Sequence, residues 1–101
     1  MLTVSNRRFR DRVNQQVQVI CQHTPGSTLN VSLRGARIVL RQHARRRFLL
    51  RLELDGQPIE VCAERVWEES LGGGNQVIGV RFLPAPEQMA ALQGWMDRQA
   101  C

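Results

Sequence analysis

Two clusters of residues in this chain have the types and spacing to do chemistry. The first is Asn6-Arg7-Arg8-Phe9-Arg10-Asp11-Arg12, in which Arg8 and Arg12 make an R-x-x-x-R pair. Guanidinium groups suit phosphate oxygens and the O6/N7 edge of guanine through paired hydrogen bonds. The second is Asn30-Val31-Ser32-Leu33-Arg34-Gly35, which supplies a short amide, a hydroxyl and a bend. The arginine spacing is weak by count, because Arg37/Arg41, Arg41/Arg45 and Arg47/Arg51 also fit it. The Asn-x-Ser-x-x-Gly pattern occurs once, after seventeen intervening residues, and runs into Ala36-Arg37-Ile38-Val39-Leu40. Specificity lies in that order and context.

Local patterning shows what must position these residues. Val17, Val19 and Cys21 alternate with Gln16, Gln18 and Ile20, the period of a half-buried strand. His23-Thr24-Pro25-Gly26-Ser27 reads as a turn by composition. Leu29, Val31 and Leu33 then alternate with Asn30, Ser32 and Arg34, so Asn30 and Ser32 are expected on one side. Gly35 is expected to permit a bend or a close backbone approach that a Cβ would block. Phe48, Leu50, Leu52 and Leu54 share a face, and Asp55-Gly56 is a two-residue hairpin signal leading into Ile59, Val61 and Ala63. The inward set then changes parity to Val66 or Trp67, which predicts a bulge near Glu64 or Arg65. Leu71-Gly72-Gly73-Gly74-Asn75 forms another turn, and Ile78, Val80 and Phe82 share the next face. Pro84 and Pro86 end the sheet. Glu87 suits the positive end of a helix whose apolar stripe is Met89, Leu92 and Met96, with Trp95 beside them. The expected fold is mainly β: a small six-stranded antiparallel barrel over 13–83 with a C-terminal α-helix, 86–99, packed on it. Residues 1–12 read as a flexible basic arm.

Composition bounds the function. A chain of 101 residues makes one domain with one modest core. It contains no run of eighteen apolar residues, so no membrane insertion is expected. The first residues lack an apolar stretch that would serve as a signal peptide, which points to a cytoplasmic location. Cys21, Cys62 and Cys101 fit no zinc or disulfide spacing and read as two apolar fillers and a terminal thiol. Residues 1–51 hold eleven arginines against one acid, and 52–101 hold three against eight. A compact anion on the basic half is one explanation, and a nucleic-acid backbone is another. All fourteen cations are arginine. Arginine favours planar, bidentate and stacked recognition.

The ordered pair of motifs resembles the PilZ family, bacterial receptor domains for cyclic di-GMP whose signature is RxxxR followed by (D/N)xSxxG. Ala63-Glu64-Arg65-Val66-Trp67, Gly72 to Gly74 and Ile78-Gly79-Val80-Arg81-Phe82 resemble the family's later strands. The resemblance runs from about Arg7 to about Met96. It implies that Arg8 and Arg12 contact phosphate and guanine, that Asn30 and Ser32 line the barrel side of the site, and that Gly35 keeps the surface open. Arg7 adds a third planar cation suited to stacking on a second, self-stacked ligand. Trp67 occupies a position where relatives often carry an aromatic residue near the ligand, with core packing as the alternative. The ligand-binding set is thus Arg7, Arg8, Arg12, Asn30, Ser32, Gly35 and Trp67, with cyclic di-GMP as ligand and no cofactor. The implied mechanism is ordering of the arm over the barrel rim, changing a surface read by an effector protein.

Two other readings stay open: a barrel of this family that acts as an adaptor without binding nucleotide, and a basic barrel for nucleic acid. The second needs exposed aromatic platforms, and the few aromatic residues sit mostly at core-like positions. Arg45, Arg46 and Arg47 read as a solvated loop. An enzyme is not expected. His23 and His43 have no nucleophile beside them in sequence, the carboxylates form no motif, and there is no phosphate loop or metal set.

Overall fold

The computed structural model describes residues 14–42, 44–83 and 86–99. Six strands, β1 (Gln18–Cys21), β2 (Thr24–Val31), β3 (Gly35–Leu40), β4 (Arg47–Leu54), β5 (Gln57–Gly72) and β6 (Asn75–Leu83), precede one helix, α1 (Pro86–Gln99). All neighbouring strands pair antiparallel. They close into a barrel in the order β1-β2-β3-β6-β5-β4. Closure leaves no free sheet edge to protect.

Period-two patterning drives this arrangement. In β4 Phe48, Leu50, Leu52 and Leu54 are buried while Arg47, Leu49 and Arg51 face solvent. Val19, Ile38, Val61, Ile78 and Val80 point inward from the other walls. Asp55 and Gly56 turn the β4–β5 hairpin with φ of 53° and 80°, and Gly73 and Gly74 turn β5–β6 with φ of 62° and 83°. Two consecutive positive φ values are what a two-residue turn of matching twist requires. Helix α1 begins at Pro86, carries Glu87 in its first turn, and buries Leu92, Trp95 and Met96. These three belong to the same apolar cluster as the barrel interior. Gln88 reaches the Glu60 carbonyl, and Gln99 and Arg98 reach Asp55 at 3.3 and 3.8 Å. The helix therefore lies at the barrel end marked by the β4–β5 hairpin. The β2–β3 connection opens at that same end, because β2 and β4 both run towards it.

Four expectations from the sequence are corrected. Residues 23–27 are not the turn: Cys21 pairs with Thr24, only Gln22 and His23 bridge the strands, and Gln22 adopts φ 59°. Pro25 is tolerated in β2 because it precedes the first β2–β3 pair, Gly26 with Leu40. Leu29 does not point inward. The register shifts between Thr28 and Asn30, and Leu29 is 47% exposed. Thr28 takes the interior position at 1% exposure, because its hydroxyl accepts a hydrogen bond from Val17 N and donates one to Gln15 O. A buried hydroxyl with both bonds made is no burden to a core.

The predicted bulge in β5 is present, between Arg65 and Trp67, yet neither Val66 nor Trp67 turns inward. Val66 is 56% exposed. Arg65 instead ties β5 back to the β3–β4 loop, donating from Nη1 to Ala44 O and from its backbone N to Arg46 O. Cys62, read as a filler, is exposed. It lies opposite Leu49 and Leu83 on the outer wall. Cys21 is buried, and desolvation pushes its thiol up to about 12.

A candidate ligand-binding face on the outer wall

The signature segment spans the end of β2, a tight turn and the start of β3. Asn30, just past the bulge, pairs with Arg37 and is half-buried. Ser32 organises the turn. Its backbone N donates to Gly35 O, its hydroxyl accepts from Arg34 N and Gly35 N at 3.2 and 3.3 Å, and its own proton is directed to Gly35 O. This is a local serine turn of the kind that these residue types form readily. Phe82 N donates to Arg34 O and fastens the turn to β6. Gly35 pairs with Arg81, and a Cβ there would sit 1.9 Å from the Val80 carbonyl oxygen. The expected close approach is thus made to a neighbouring strand. A side chain at 35 would push β3 off β6.

Register carries this segment into two transverse rows on the outer wall. Asn30 pairs with Arg37, Arg37 with Gly79, and Gly79 with Trp67. Trp67 is 40% exposed, and its indole lies against Gly79 so closely that a Cβ there would meet Nε1 at 2.2 Å. The Arg37 guanidinium carbon stands 5.7 Å from the centroid of that ring. This is within cation–π range. In the adjoining row Gly35 pairs with Arg81, Arg81 with Glu64, and Glu64 with Arg47. Arg81 donates to one Glu64 oxygen and Arg47 Nε lies 3.5 Å from the other. The Arg81 hydrogen bond holds the Glu64 carboxyl below its ordinary range; burial opposes this, and the charges of Arg81 and Arg47 assist it. One carboxylate against two guanidiniums leaves this row with positive charge.

Arg7, Arg8 and Arg12 lie outside the described residues. The segment that leads from them to β1 is described, and its course is informative. Thr28 N donates to Val17 O, Thr28 Oγ1 donates to Gln15 O, and Gln16 Nε2 donates to Ser27 Oγ. Traced back from β1, residues 17 to 15 therefore continue antiparallel beside β2 towards the Asn30–Gly35 turn.

The structure thus brings Asn30, the Ser32–Gly35 turn and Trp67 to one side of the barrel, separated by the width of β3 and β6. Sequence reading missed Arg37, Arg81, Glu64 and Thr28. Arg37 shares the parity of Gly35, and Gly79 is a glycine inside a strand, a signal of close approach. Nothing local marks Thr28, because its role depends on Val17 arriving from another strand. No group of three or more potential metal ligands occurs among the described residues. No helix among them is long and apolar enough to cross a membrane.

The chain matches the PilZ domain family over residues 5–98 and belongs to it; this is a family of cyclic di-GMP receptor domains. Solved structures share the fold at low identity. An uncharacterized Legionella protein aligns with TM-score 0.71 and 17% identity over 86% of this chain and 90% of its own. The Bacillus subtilis inhibitor of motility MotI/DgrA aligns with TM-score 0.72 and 17% identity over 87% of this chain, which spans 48% of that protein. No curated protein matches the chain.

Proposed function

We propose that this chain is a cytoplasmic bacterial receptor for cyclic di-GMP, and that the ligand binds on the outer wall beneath the arm bearing Arg7, Arg8 and Arg12. Cyclic di-GMP carries two phosphates and two guanines. Arg8 and Arg12 contact phosphate and the Hoogsteen edge of guanine, Asn30 and the Ser32–Gly35 turn line the floor, and Trp67 borders it. The observation that carries this reading is the course of residues 15–17. Thr28 holds them beside β2, so the described chain traced back from β1 runs towards the Asn30–Gly35 turn, which supports an arm that meets the second half of the signature there. Binding orders the arm, and the altered surface is read by an effector protein. An anion is the natural trigger, since a basic segment gains its charge-assisted hydrogen bonds only when the anion is present.

Titration calorimetry with cyclic di-GMP, against GTP and cyclic di-AMP, tests this. Arg8→Ala and Arg12→Ala should each weaken binding by at least about ten-fold, since hydrogen bonds to charged groups contribute about 1.5–3 kcal/mol, while the unfolding midpoint stays put. Wild-type affinity in both variants would exclude the assignment. The adaptor reading without nucleotide is favoured by one observation, the engagement of the Ser32 hydroxyl within its own turn. It predicts no guanine-selective binding at all.

A further inference from the structure

Arg37 is distinctive among the arginines of the outer wall. Arg81 and Arg47 share the Glu64 carboxylate, and Arg51 pairs with Glu53 at 3.0 Å. Arg37 is held by an indole instead, and its charge is not offset by a carboxylate among the described residues. The indole itself has a firm seat. Trp67 rests on the backbone of Gly79, where the missing Cβ makes the room it needs. Gly79 stands between Arg37 and Trp67 in register, so the guanidinium crosses the glycine to reach the ring. The next residue along this row is Asn30, whose amide is half-buried and on the same face.

We infer that Arg37 is itself a ligand-binding residue, a platform on which one guanine of the dinucleotide stacks. The inference rests on the cyclic di-GMP reading above and names a contact that the signature motifs do not contain. A guanidinium is planar, weakly hydrated and permanently charged, and it stacks on aromatic rings through either face. With one face towards Trp67, the other is available to a purine. Base, guanidinium, indole and the Gly79 backbone then form one layered column across β3, β6 and β5. Asn30 beside the column is placed to hydrogen-bond the base edge. Trp67 acts here as a positioning residue. It sets the guanidinium in the plane that the base requires, which lowers the ordering cost of the long arginine side chain on binding.

Titration calorimetry of the full chain with cyclic di-GMP, using wild type, Arg37→Ala, Arg37→Lys and Gly79→Ala, tests the platform. Stacking of a base on a side chain is typically worth about ten-fold or more in affinity. Arg37→Ala should lose about that factor. Arg37→Lys, which keeps the charge and loses the plane, should lose nearly as much. Gly79→Ala should also weaken binding, because its Cβ evicts the indole, and emission from Trp67 should shift to the red in the free protein. All three should melt close to wild type, since Arg37 and Trp67 face solvent. If wild type binds but Arg37→Ala binds equally well or more tightly, the platform is overturned and the receptor reading stands. Full affinity in Arg37→Lys would likewise overturn it, by showing that charge alone suffices. If wild type itself does not bind cyclic di-GMP, both inferences fall together.

Discussion

Trp67 and Trp95 are the same side chain in two opposed settings. Trp95 projects from α1 into the closed end of the barrel at 1% exposure, among Leu92, Met96 and the strand interiors. Its indole Nε1 is buried with no hydrogen-bond partner among the described residues. Trp67 lies on the outer wall at 40% exposure, against Gly79 and beneath Arg37. The difference shows what each region is for. At the closed end, apolar area outweighs an unsatisfied N–H, because burying an aromatic side chain yields more than one missing hydrogen bond costs. On the wall, the ring keeps a face near solvent where contacts with a guest can form, and its attachment to a glycine costs the core nothing.

Truncation should separate the two settings most sharply. Trp95→Ala should lose roughly 3–5 kcal/mol of stability in urea unfolding, the range for emptying a large aromatic site in a core. Trp67→Ala should change it by less than about 1 kcal/mol, as at other surface positions. Equal losses would break the distinction and make Trp67 a packing residue.

The glycines that border these regions extend the contrast. A Cβ at Gly35 meets the Val80 backbone oxygen, which has nowhere to go, whereas a Cβ at Gly79 meets the Trp67 side chain, which can swing outward. Gly35→Ala should therefore cost roughly 3 kcal/mol, the upper part of the overpacking range, and should disturb the β3–β6 amides in hydrogen exchange. A near-neutral Gly35→Ala would show that the strands can part there, and that the glycine serves only the signature turn.

The smallest effect is expected from Glu64, whose carboxyl is held below its ordinary range chiefly by the Arg81 hydrogen bond. A carboxyl lowered in the folded state stabilises that state fully above its unfolded value of about 4.3. That contribution fades as pH falls through the lower folded value. Glu64→Gln should therefore lower the melting temperature slightly above about pH 6, where the contribution is fully present, and flatten the acid side so that the two profiles converge at low pH. An unchanged acid limb would mean that the Arg81–Glu64–Arg47 row adds nothing to folding.

Much of the fold is legible without coordinates because its causes are local. Alternation in Phe48–Leu54, the Asp55-Gly56 turn and the stripe on 86–99 depend on residues within a few positions of each other. The misreadings arose where another strand intervened. Leu29 outranks Thr28 as an apolar residue, yet Thr28 holds the interior, since Val17 N and Gln15 O supply partners for its hydroxyl. The change of parity predicts Val66 or Trp67 inward, but the bulge between Arg65 and Trp67 leaves both exposed, with Arg65 bonded to the β3–β4 loop.

The candidate site divides along the same line. The family signature, the basic first half, the succession of strands and the terminal helix all follow from the order of residues along the chain. Closing the barrel is what set Arg37 against Trp67 across Gly79, gathered Arg81 and Arg47 on Glu64, and laid residues 15–17 along β2. The reason is register. Which residues stand side by side across strands is fixed when the barrel closes and its bulges fall into place, and one shifted residue would turn each neighbouring side chain to the opposite face.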